Sequence, residues 1–303
     1  MLSNSYLNRY PIAVLIFGTA LIIGILAVGY FFFIKETVPE TIDSFTESEA
    51  VVESAVRTQV LGQSVENRDV TIYSFGDGLS NVLFVGGVHG GYEWNSVLLA
   101  EAMIEYFTFN LELIPSDLTV NIIPVLNPDG LAMVTDGKTE NLHATEITGW
   151  SSDGTGRFNA NGVDLNRNFA CKWQPQASWR GNAIPAGTVA FSEPEAQILR
   201  DYVLTTTPKA VVFWHSVAGA VYGSECEDGI LPATLDIMNA YAVASSYGAV
   251  PIFDAYPVTG DAEGWLASIG IPAVTVELET RNSIEWQRNL AGTKAVLELI
   301  SSF

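Results

Sequence analysis

Residues 82–89 read Val-Leu-Phe-Val-Gly-Gly-Val-His, an uncharged run that ends in one of only three histidines in the chain. A short run that is apolar throughout predicts a strand buried on both faces, here over 82–88. The run 210–214, AVVFW, has the same character and leads directly to His215. The sequence therefore predicts at least two buried strands, each of which delivers a histidine where it ends.

Strands and helices alternate along the rest of the chain. Three more strands are predicted by apolar or alternating runs, at 70–75, 118–126 and 273–278. Helices are predicted by apolar stripes and start signals at 96–106, from a capping serine at 192, near 233–246 and at 290–300. The segment 127–130, Asn-Pro-Asp-Gly, is a turn signal. This order predicts an α/β fold with a mixed central β-sheet flanked by helices.

The chain is strongly acidic, because 34 Asp and Glu residues outnumber 14 Lys and Arg residues and the net charge is −20. Phosphate binding needs clustered cations, so this balance argues against nucleic acid and against an anionic membrane surface as partners. The simplest interpretation of the excess charge is that it keeps the protein soluble.

An uncharged segment, 11–34, lies between Arg9 and Lys35. Its length meets the roughly 20 residues that a helix needs to cross a bilayer core, so it predicts one transmembrane anchor after a short segment 1–10. A cleaved signal peptide is the alternative, although the apolar region of such a peptide runs only about 7–15 residues. The acidic stretch 35–56 is interpreted as a linker, and 57–303 as one folded domain outside the cytoplasm.

The two cysteines, Cys171 and Cys226, leave two alternatives. An even number of cysteines in an exported domain fits one disulfide. Two buried free thiols fit the same count, and both alternatives stay open at this point.

The scarce histidines point to a metal site. In open α/β sheets ligands bind at the carboxyl ends of strands, which is where His89 and His215 are predicted to lie. Glu93 follows His89 by four residues, and the glycine pair between them gives the backbone freedom to bring both side chains together. Two imidazoles and one carboxylate with an open fourth position are the donor set of a catalytic zinc ion. His89, Glu93 and His215 are therefore predicted to bind one Zn²⁺.

A run rich in glycine and asparagine, GRFNANGVDLNRNF, occupies 156–169 and holds two of the few arginines. GGVHGGYEWN and NPDG precede it, and FWHS and TVEL follow it. In this order the motifs resemble the zinc carboxypeptidases of the carboxypeptidase A type. The resemblance covers the chain from about Arg57 to the C-terminus. It implies the α/β fold of that family, a single zinc ion and hydrolysis at the carboxyl end of peptides.

The resemblance implies roles for four residues of the 156–169 run. Asp164 resembles the carboxylate that orients a ligand histidine and makes it more basic. Asn166 and Arg167 resemble the clamp for the terminal carboxylate of the substrate, to which a guanidinium presents a planar fork of donors. Arg157 resembles the arginine that stabilises the oxyanion together with zinc. The alternative for either arginine is a structural ion pair.

Two residues nearer the end of the chain complete the implied set. Glu277, in the Thr-Val-Glu-Leu motif, resembles the general base that takes a proton from zinc-bound water and passes it to the leaving amine. Glu279 points the same way along a strand and is the alternative base, but the motif match favours Glu277. Tyr256 resembles the mobile tyrosine that covers the bound peptide end, and an ordinary surface aromatic is its alternative.

One departure from the family's pattern concerns the first two ligands. The family separates them by two residues, whereas Gly90, Gly91 and Tyr92 stand between His89 and Glu93 here. The glycine pair is expected to absorb the extra residue, so that Glu93 still reaches the ion.

Substrate specificity is predicted from 260–265, Gly-Asp-Ala-Glu-Gly-Trp, which lies where the family lines its side-chain pocket. Asp261 or Glu263 would favour a basic side chain or the free amine of a diamino acid. The alternatives are a solvated acidic loop and, for Asp261, a turn position beside Gly260.

Together these observations predict a zinc-dependent metallocarboxypeptidase that hydrolyses C-terminal bonds of a peptide partner. An alternative enzyme is a cell-wall hydrolase that cuts stem peptides of peptidoglycan at a diamino acid. A peptide-binding module without turnover is the second alternative. The presence of the ligands together with Arg157, Arg167 and Glu277 argues against that module, because a relative without activity has most often lost one of them.

Overall fold

The computed structural model describes residues 56–302, so the predicted anchor 11–34 and almost all of the linker 35–56 lie outside it. Its strands are β1 Val56–Gln63, β2 Asp69–Phe75, β3 Ser80–Val85, β4 Leu118–Ile123, β5 Gln176–Trp179, β6 Asn182–Pro185, β7 Ala210–Ser216, β8 Ala220–Gly223, β9 Glu225–Cys226, β10 Gly229–Ile230, β11 Gly248–Val250 and β12 Ala273–Leu278. Its α-helices are α1 Trp94–Phe109, α2 Pro128–Ala132, α3 Pro194–Thr206, α4 Pro232–Ser245, α5 Ala262–Ser268 and α6 Trp286–Ser301. Within 56–302 none of them combines the length and apolar character of a membrane-crossing helix.

Eight strands of the described chain form one mixed sheet in the order β1-β2-β4-β3-β7-β12-β8-β11. Parallel pairing runs through its centre, from β4 through β3 and β7 to β12. Antiparallel pairs join β1 to β2, β2 to β4 and β12 to β8. Parallel neighbours need a crossover connection, and α1 supplies it between β3 and β4. The predicted α/β fold with a mixed central sheet flanked by helices is confirmed.

Side chains of the central strands alternate between two apolar cores, one on each face of the sheet. Val82 and Phe84 of β3 belong to the core that also contains residues of α1, α4 and α6. Leu83 and Val85 of the same strand belong to the core that contains residues of α3 and α5. All seven residues of β7 are buried. An apolar run without alternation is therefore the pattern of a strand that helices cover on both sides.

Strand β3 ends at Val85 rather than at 88, because the chain leaves the sheet at Gly86 and Gly87. Gly87 has a φ of +60°. A Cβ at Gly86 would lie 2.8 Å from the carbonyl oxygens of Pro124 and Ser96. The two glycines thus allow a close approach of backbones that no larger residue permits.

The segment 127–130 begins a short helix instead of forming a simple turn. Strand β4 ends at Ile123 rather than at 126, and α2 starts at Pro128. The Asn127 side chain accepts a hydrogen bond from Gly130 N at 2.8 Å. This bond satisfies one of the free N–H groups of the first helical turn, which explains why Asn-Pro-Asp-Gly folds into a helix here.

Three helix starts also differ from the predictions, and the first is that of α1, which begins at Trp94 rather than at 96. The cap position of α3 is Glu193, and Ser192 does not cap the helix as predicted, because its hydroxyl donates to the Glu193 carboxylate at 2.7 Å. Helix α6 begins at Trp286, ahead of the predicted start at 290. Trp286 packs against the core on the α1 face, which extends the helix by one turn.

The sequence pattern does not indicate β1, the edge strand that pairs antiparallel with β2. Five of its eight residues are exposed, so it lacks both the apolar run and the alternation that mark a strand. Backbone pairing with β2 forms this strand, and such pairing leaves little trace in a single sequence.

Candidate active site

Three neighbouring strands bring the predicted site residues to one edge of the sheet. β3 leads to His89, β7 carries His215, and β12 carries Glu277 directly beside His215 in the parallel register. This edge is the carboxyl end of the parallel strands, where ligands bind in open sheets. The three side chains line a cleft of about 670 Å³.

The extra residue between His89 and Glu93 fits into a tight turn. Residues Gly90–Glu93 form one turn of 3₁₀-helix, and α1 begins directly after it. Gly90 has a φ of +44°, and a Cβ there would lie 2.8 Å from Asn127 O. A glycine at this position therefore lets the turn pack closely against the start of α2, and Glu93 faces His89 despite the longer spacing.

The structure brings His89, Glu93 and His215 into one buried cluster. Glu93 Oε1 lies 2.9 Å from His89 Nδ1, and Glu93 Oε2 lies 2.8 Å from His215 Nδ1. The two Nδ1 atoms are 3.2 Å apart, and the three residues form a group that could hold a metal ion. Two ring nitrogens and a carboxylate that converge on one point fit the donor set of a catalytic zinc site.

The charges of this cluster depend on each other. Burial opposes ionisation of Glu93, but His89 and His215 outweigh burial and hold the pKa of Glu93 well below its ordinary value. Burial alone would lower the pKa of His215, but Glu93 outweighs it and raises the pKa of His215 to about 9. Because a metal ion binds the deprotonated ligands, its binding to this cluster would release protons.

Asp164 joins the cluster to Arg157. Asp164 Oδ1 lies 3.2 Å from His89 Nε2, and its Oδ2 accepts hydrogen bonds from Arg157 Nε at 2.9 Å and Nη2 at 2.7 Å. Asp164 is fully buried; burial opposes its ionisation, but Arg157 and His89 outweigh burial and hold the pKa of Asp164 well below its usual range. The remaining Arg157 nitrogen, Nη1, is 3.7 Å from Glu93 Oε1. Asp164 thus orients the side chains of His89 and Arg157 at the same time.

Asn166 and Arg167 lie in one 3₁₀ turn, Leu165–Arg167, on the wall of the cleft. Asn166 Oδ1 accepts a hydrogen bond from Ala262 N at 2.8 Å and so holds the start of α5. The buried Arg167 Nε has no hydrogen-bond partner among residues 56–302. An unpaired buried N–H is costly, and a carboxylate bound in the cleft would supply its acceptor.

Of the two candidate bases, Glu277 lines the cleft and Glu279 does not. Glu277 Oε2 is buried and has no hydrogen-bond partner in the described part of the chain. Burial, together with the nearby Glu93, raises the pKa of Glu277 to about 7. Glu279 is exposed and accepts a hydrogen bond from Arg288 Nη1 at 2.6 Å. The structure therefore places the carboxylate of Glu277 in the cleft and that of Glu279 in a surface ion pair with Arg288.

Tyr256 lies on the segment between β11 and α5 and also lines the cleft. Its side chain is 38% exposed, and its ring centroid is 4.7 Å from that of Phe253. The residue is thus a surface aromatic and a cleft residue at once, so its position agrees with both interpretations.

The two acidic candidates for substrate specificity have different surroundings. Asp261 caps α5 by accepting a hydrogen bond from Gly264 N at 2.7 Å. This backbone role beside Gly260 corresponds to the predicted alternative of a turn position for Asp261. Glu263 is buried, accepts a hydrogen bond from Thr275 Oγ1 at 2.7 Å and lies 3.6 Å from His215 Nε2. Burial and the Glu263 charge raise the pKa of Asp261 to about 6. Both residues line the cleft, and the solvated-loop alternative is wrong for Glu263.

Sequence reasoning misses several aromatic and cationic residues of the cleft wall, namely Tyr92, Trp179, Arg180 and Arg281. One signal was available for Tyr92, since it is the extra residue beside a ligand. Another was available for the arginines, because cations are scarce in this chain. Neither signal indicates which of the cationic residues, far apart in the sequence, lie in the same cleft.

Cys171 and Cys226 form a disulfide with Cα atoms 6.1 Å apart, so of the two alternatives the disulfide is the correct one. This separation lies in the usual range for disulfides. The bond joins the segment that follows Arg167 to β9, and Cys171 lines the cleft. The disulfide therefore ties two parts of the cleft wall together.

Two comparisons of sequence agree with the site geometry. The chain matches the zinc carboxypeptidase family model over residues 44–287. It is 25% identical over 170 residues to gamma-D-glutamyl-L-diamino acid endopeptidase 1 of Lysinibacillus sphaericus, an alignment that covers 53% of this chain and 42% of that protein. The chain thus spans less than half the length of this relative.

Solved structures show the same fold. Carboxypeptidase A from Helicoverpa armigera has a TM-score of 0.66 at 21% identity, over 86% of this chain and 74% of that one. Murein-tripeptide amidase MpaA from Escherichia coli O157 has a TM-score of 0.57 at 21% identity, over 80% of this chain and 91% of that one. At this identity the likeness concerns the fold alone, and the family rests on the sequence match. That match spans most of the chain, and the protein belongs to the zinc carboxypeptidase family, whose members are hydrolases that act on peptides.

Proposed function

We propose that the protein is a zinc-dependent carboxypeptidase that hydrolyses the C-terminal bond of peptides. The observation that supports this most is the content of a single cleft. The cleft holds a cluster fit for a metal ion, a buried Glu277 oxygen and a buried Arg167 N–H, and these last two have no partner among residues 56–302. A metal, a base and a carboxylate clamp are the three groups that removal of a C-terminal residue needs.

His89, Glu93 and His215 would hold the zinc ion. When bound, the ion supplies Lewis-acid chemistry, because it polarises the scissile carbonyl and lowers the pKa of water to about 7. Asp164 keeps a proton on His89 Nε2, so that Nδ1 presents its lone pair to the centre of the cluster. Arg157, oriented by the same Asp164 carboxylate, directs Nη1 to the site, where it stabilises negative charge on the substrate oxygen.

The remaining residues move the proton and position the substrate. Glu277 accepts a proton from water in the site and delivers it to the leaving amine, for which a pKa near 7 is well matched. Arg167 and Asn166 bind the terminal carboxylate of the peptide. Tyr256 packs over the bound peptide end from the exposed side of the cleft.

A second candidate is a hydrolase of cell-wall stem peptides that acts at a diamino acid. Asp261 and Glu263 support it, because both acids line the cleft in which Arg167 lies. The name of the Lysinibacillus relative specifies cleavage next to a diamino acid. An acidic pocket suits a lysine side chain equally well, so the substrate separates the two candidates.

Peptides that end in Lys, diaminopimelate or Phe test both candidates and the role of Glu263. We expect the zinc-loaded full chain to prefer one of the two basic ends. Glu263→Gln should lower kcat/KM for that end by roughly 10- to 100-fold, because a hydrogen bond to a charged group contributes about 1.5–3 kcal/mol. The Phe end, which makes no such bond, should change little.

Glu225→Gln is the matched control for this variant, since Glu225 is another cleft glutamate and pairs with Lys172. Zinc content is measured alongside, because Glu263 lies 3.6 Å from His215 Nε2. An equal loss on all three peptide ends would contradict the specificity role and assign Glu263 to positioning of His215. A metal-loaded protein that is inert on every peptide end would contradict the proposed function itself.

We also propose that the domain works outside the cytoplasm, anchored by the segment 11–34 or released from it. The Cys171–Cys226 disulfide supports this location, because structural disulfides persist in oxidising compartments and are rare in the cytosol. The membrane anchor itself rests on the apolar sequence alone.

Loss of the disulfide is expected to destabilise the domain. The bond closes a loop of 55 residues, for which the chain-entropy model predicts about 4 kcal/mol. The free energy of unfolding from urea titrations of the double variant Cys171→Ala/Cys226→Ala measures it against the parent. Unchanged unfolding in the double variant, or alkylation of both cysteines in unreduced protein from its source cell, would contradict the structural role.

A further inference from the structure

The cleft wall beside the metal cluster carries aromatic and cationic side chains that the proposed chemistry does not use. Tyr92 is 1% exposed, and its Oη has no hydrogen-bond partner among the described residues. Its ring meets that of Trp179 edge-on, with centroids 5.4 Å apart. Since a buried hydroxyl without a partner is costly and Tyr92 lines the cleft, its Oη is suited to donate to a bound ligand.

Three arginines lie over these rings and line the same cleft, and one of them is Arg157, whose guanidinium carbon is 4.6 Å from the centroid of Trp179. The guanidinium carbon of Arg281 is 4.3 Å from the centroid of Tyr92, and that of Arg180 is 4.9 Å from the centroid of Trp179. Stacking on an aromatic ring holds a guanidinium in place while its edge N–H groups stay free to donate. Arg281 and Arg180 therefore hold further N–H donors in a fixed orientation in the cleft.

Neither arginine takes part in a salt bridge within residues 56–302. Arg281 Nη1 donates to the carbonyl and hydroxyl oxygens of Ser216 at 3.0 Å, and Arg180 Nη1 donates to Ser152 O at 3.0 Å. Arg157, by contrast, is paired with a carboxylate. In a chain of net charge −20, two arginines that form no salt bridge in the described part of the chain offer charged donors to an anionic ligand in this part of the cleft.

Tyr92, Arg180 and Arg281 lie beside the proposed reaction site, on segments of the chain other than the one that carries Arg167. Tyr92 directly precedes Glu93, and Arg281 follows β12, the strand of Glu277. Arg167 lies instead on the turn that packs against α5. If Arg167 takes the terminal carboxylate, the part of the peptide left for the other arginines is the amino side of the scissile bond.

We propose that Tyr92, Arg180 and Arg281 form an anion subsite for a carboxylate on the residue that precedes the scissile bond. The Tyr92 hydroxyl and the free N–H groups of the two arginines donate to this carboxylate. This inference rests on the proposed function, since it names part of the substrate of the same cleft. Such a carboxylate has two sources: the side chain of an acidic residue in an ordinary peptide bond, or the free α-carboxylate of a glutamyl residue linked through its side chain.

Four blocked dipeptides with the same C-terminal residue, chosen as the end that the parent cleaves best, separate these sources. Two carry α-linked Glu or Gln before the scissile bond, and two carry γ-linked glutamate or its α-amide, so each acid has a neutral mate of equal size. We expect kcat/KM to favour the acid over its mate by roughly 10- to 100-fold in at least one linkage, and more at low salt than at high salt.

Arg281→Gln, Arg180→Gln and Tyr92→Phe should each reduce this acid-to-amide ratio, and Arg281→Gln should bring it to within about twofold of one, since it removes a charged donor. The ratio cancels any general loss of activity or stability. Arg200→Gln is the matched control, because Arg200 stacks on Phe191 outside the cleft and should leave the ratio unchanged. Calorimetric binding of the acid and its mate to the Glu277→Gln variant gives a second readout without turnover.

Equal rates for acid and amide in both linkages, in a protein that cleaves all four peptides, would overturn the anion subsite and leave the proposed function intact. An acid-to-amide ratio of kcat/KM that stays at the parental value in Arg281→Gln and Arg180→Gln would overturn the assignment of these two arginines to the subsite. A protein inert on all four peptides that still binds the acid more tightly than its mate would support the subsite and contradict the carboxypeptidase proposal.

Discussion

Replacement of Glu277 by glutamine should lower kcat by roughly two to four orders of magnitude, the range that a general acid–base group contributes. Glutamine keeps the size of the side chain but cannot accept and return a proton. The Oε2 atom of Glu277 has no partner in the described chain, so the substitution breaks no protein hydrogen bond there. Steady-state kinetics on the best C-terminal peptide, together with zinc content and melting temperature, measure the effect.

Glu279→Gln is the matched control, because Glu279 lies two residues after Glu277, directly after the end of β12. Its carboxylate forms a surface ion pair with Arg288, and such pairs contribute only about 0–1 kcal/mol. We expect nearly parental kcat and zinc content for this variant. If Glu277→Gln kept parental activity, or if Glu279→Gln lost as much as Glu277→Gln, the assignment of the base would be wrong.

The second large effect concerns the metal and the carboxylate of Glu93. Glu93→Gln should reduce zinc affinity by more than the roughly 10- to 100-fold typical of residues that only orient a ligand, because it removes a charged donor. Activity should fall with occupancy, since the metal supplies the Lewis acid. Competition with a chromogenic chelator measures the affinity, and metal analysis measures the stoichiometry.

Asp164→Asn is the graded comparison for Glu93→Gln. Asp164 contacts His89 through its second ring nitrogen, so its loss should weaken zinc binding within that 10- to 100-fold range. The order of affinities, parent above Asp164→Asn above Glu93→Gln, is the expected outcome. Parental zinc affinity in Glu93→Gln would remove Glu93 from the ligand set.

The central strands could be predicted, because strands that are buried on both faces consist mainly of apolar residues. Residues 82–85 of β3 and 210–214 of β7 are apolar throughout, and the bounds predicted for β12 are the observed ones. The edge strand β1 could not be predicted, since exposed side chains carry no apolar pattern. Helix ends shifted where side-chain contacts decide them, as Trp286 shows, and such contacts are set by tertiary packing.

For the candidate site, the residues near strand ends were predictable and the cleft walls were not. His89 and His215 stand out because histidine is rare here and both are placed by buried strands. Arg180 and Arg281 are 101 positions apart in the sequence, and nothing local indicates that they share a cleft. The role of Asp261 as a helix cap likewise depends on where α5 begins, which the acidic motif does not reveal.

His215 and Glu277 are paired neighbours on β7 and β12, in the middle of the sheet. Their backbone separation is therefore set by the spacing of adjacent strands, about 4.8 Å, and not by the conformation of a loop. A change in the length or conformation of the cleft loops would therefore leave the separation of these two backbone positions unchanged. Amide hydrogen exchange should report the same division, with slow exchange along these two strands and faster exchange in the loop around Tyr256.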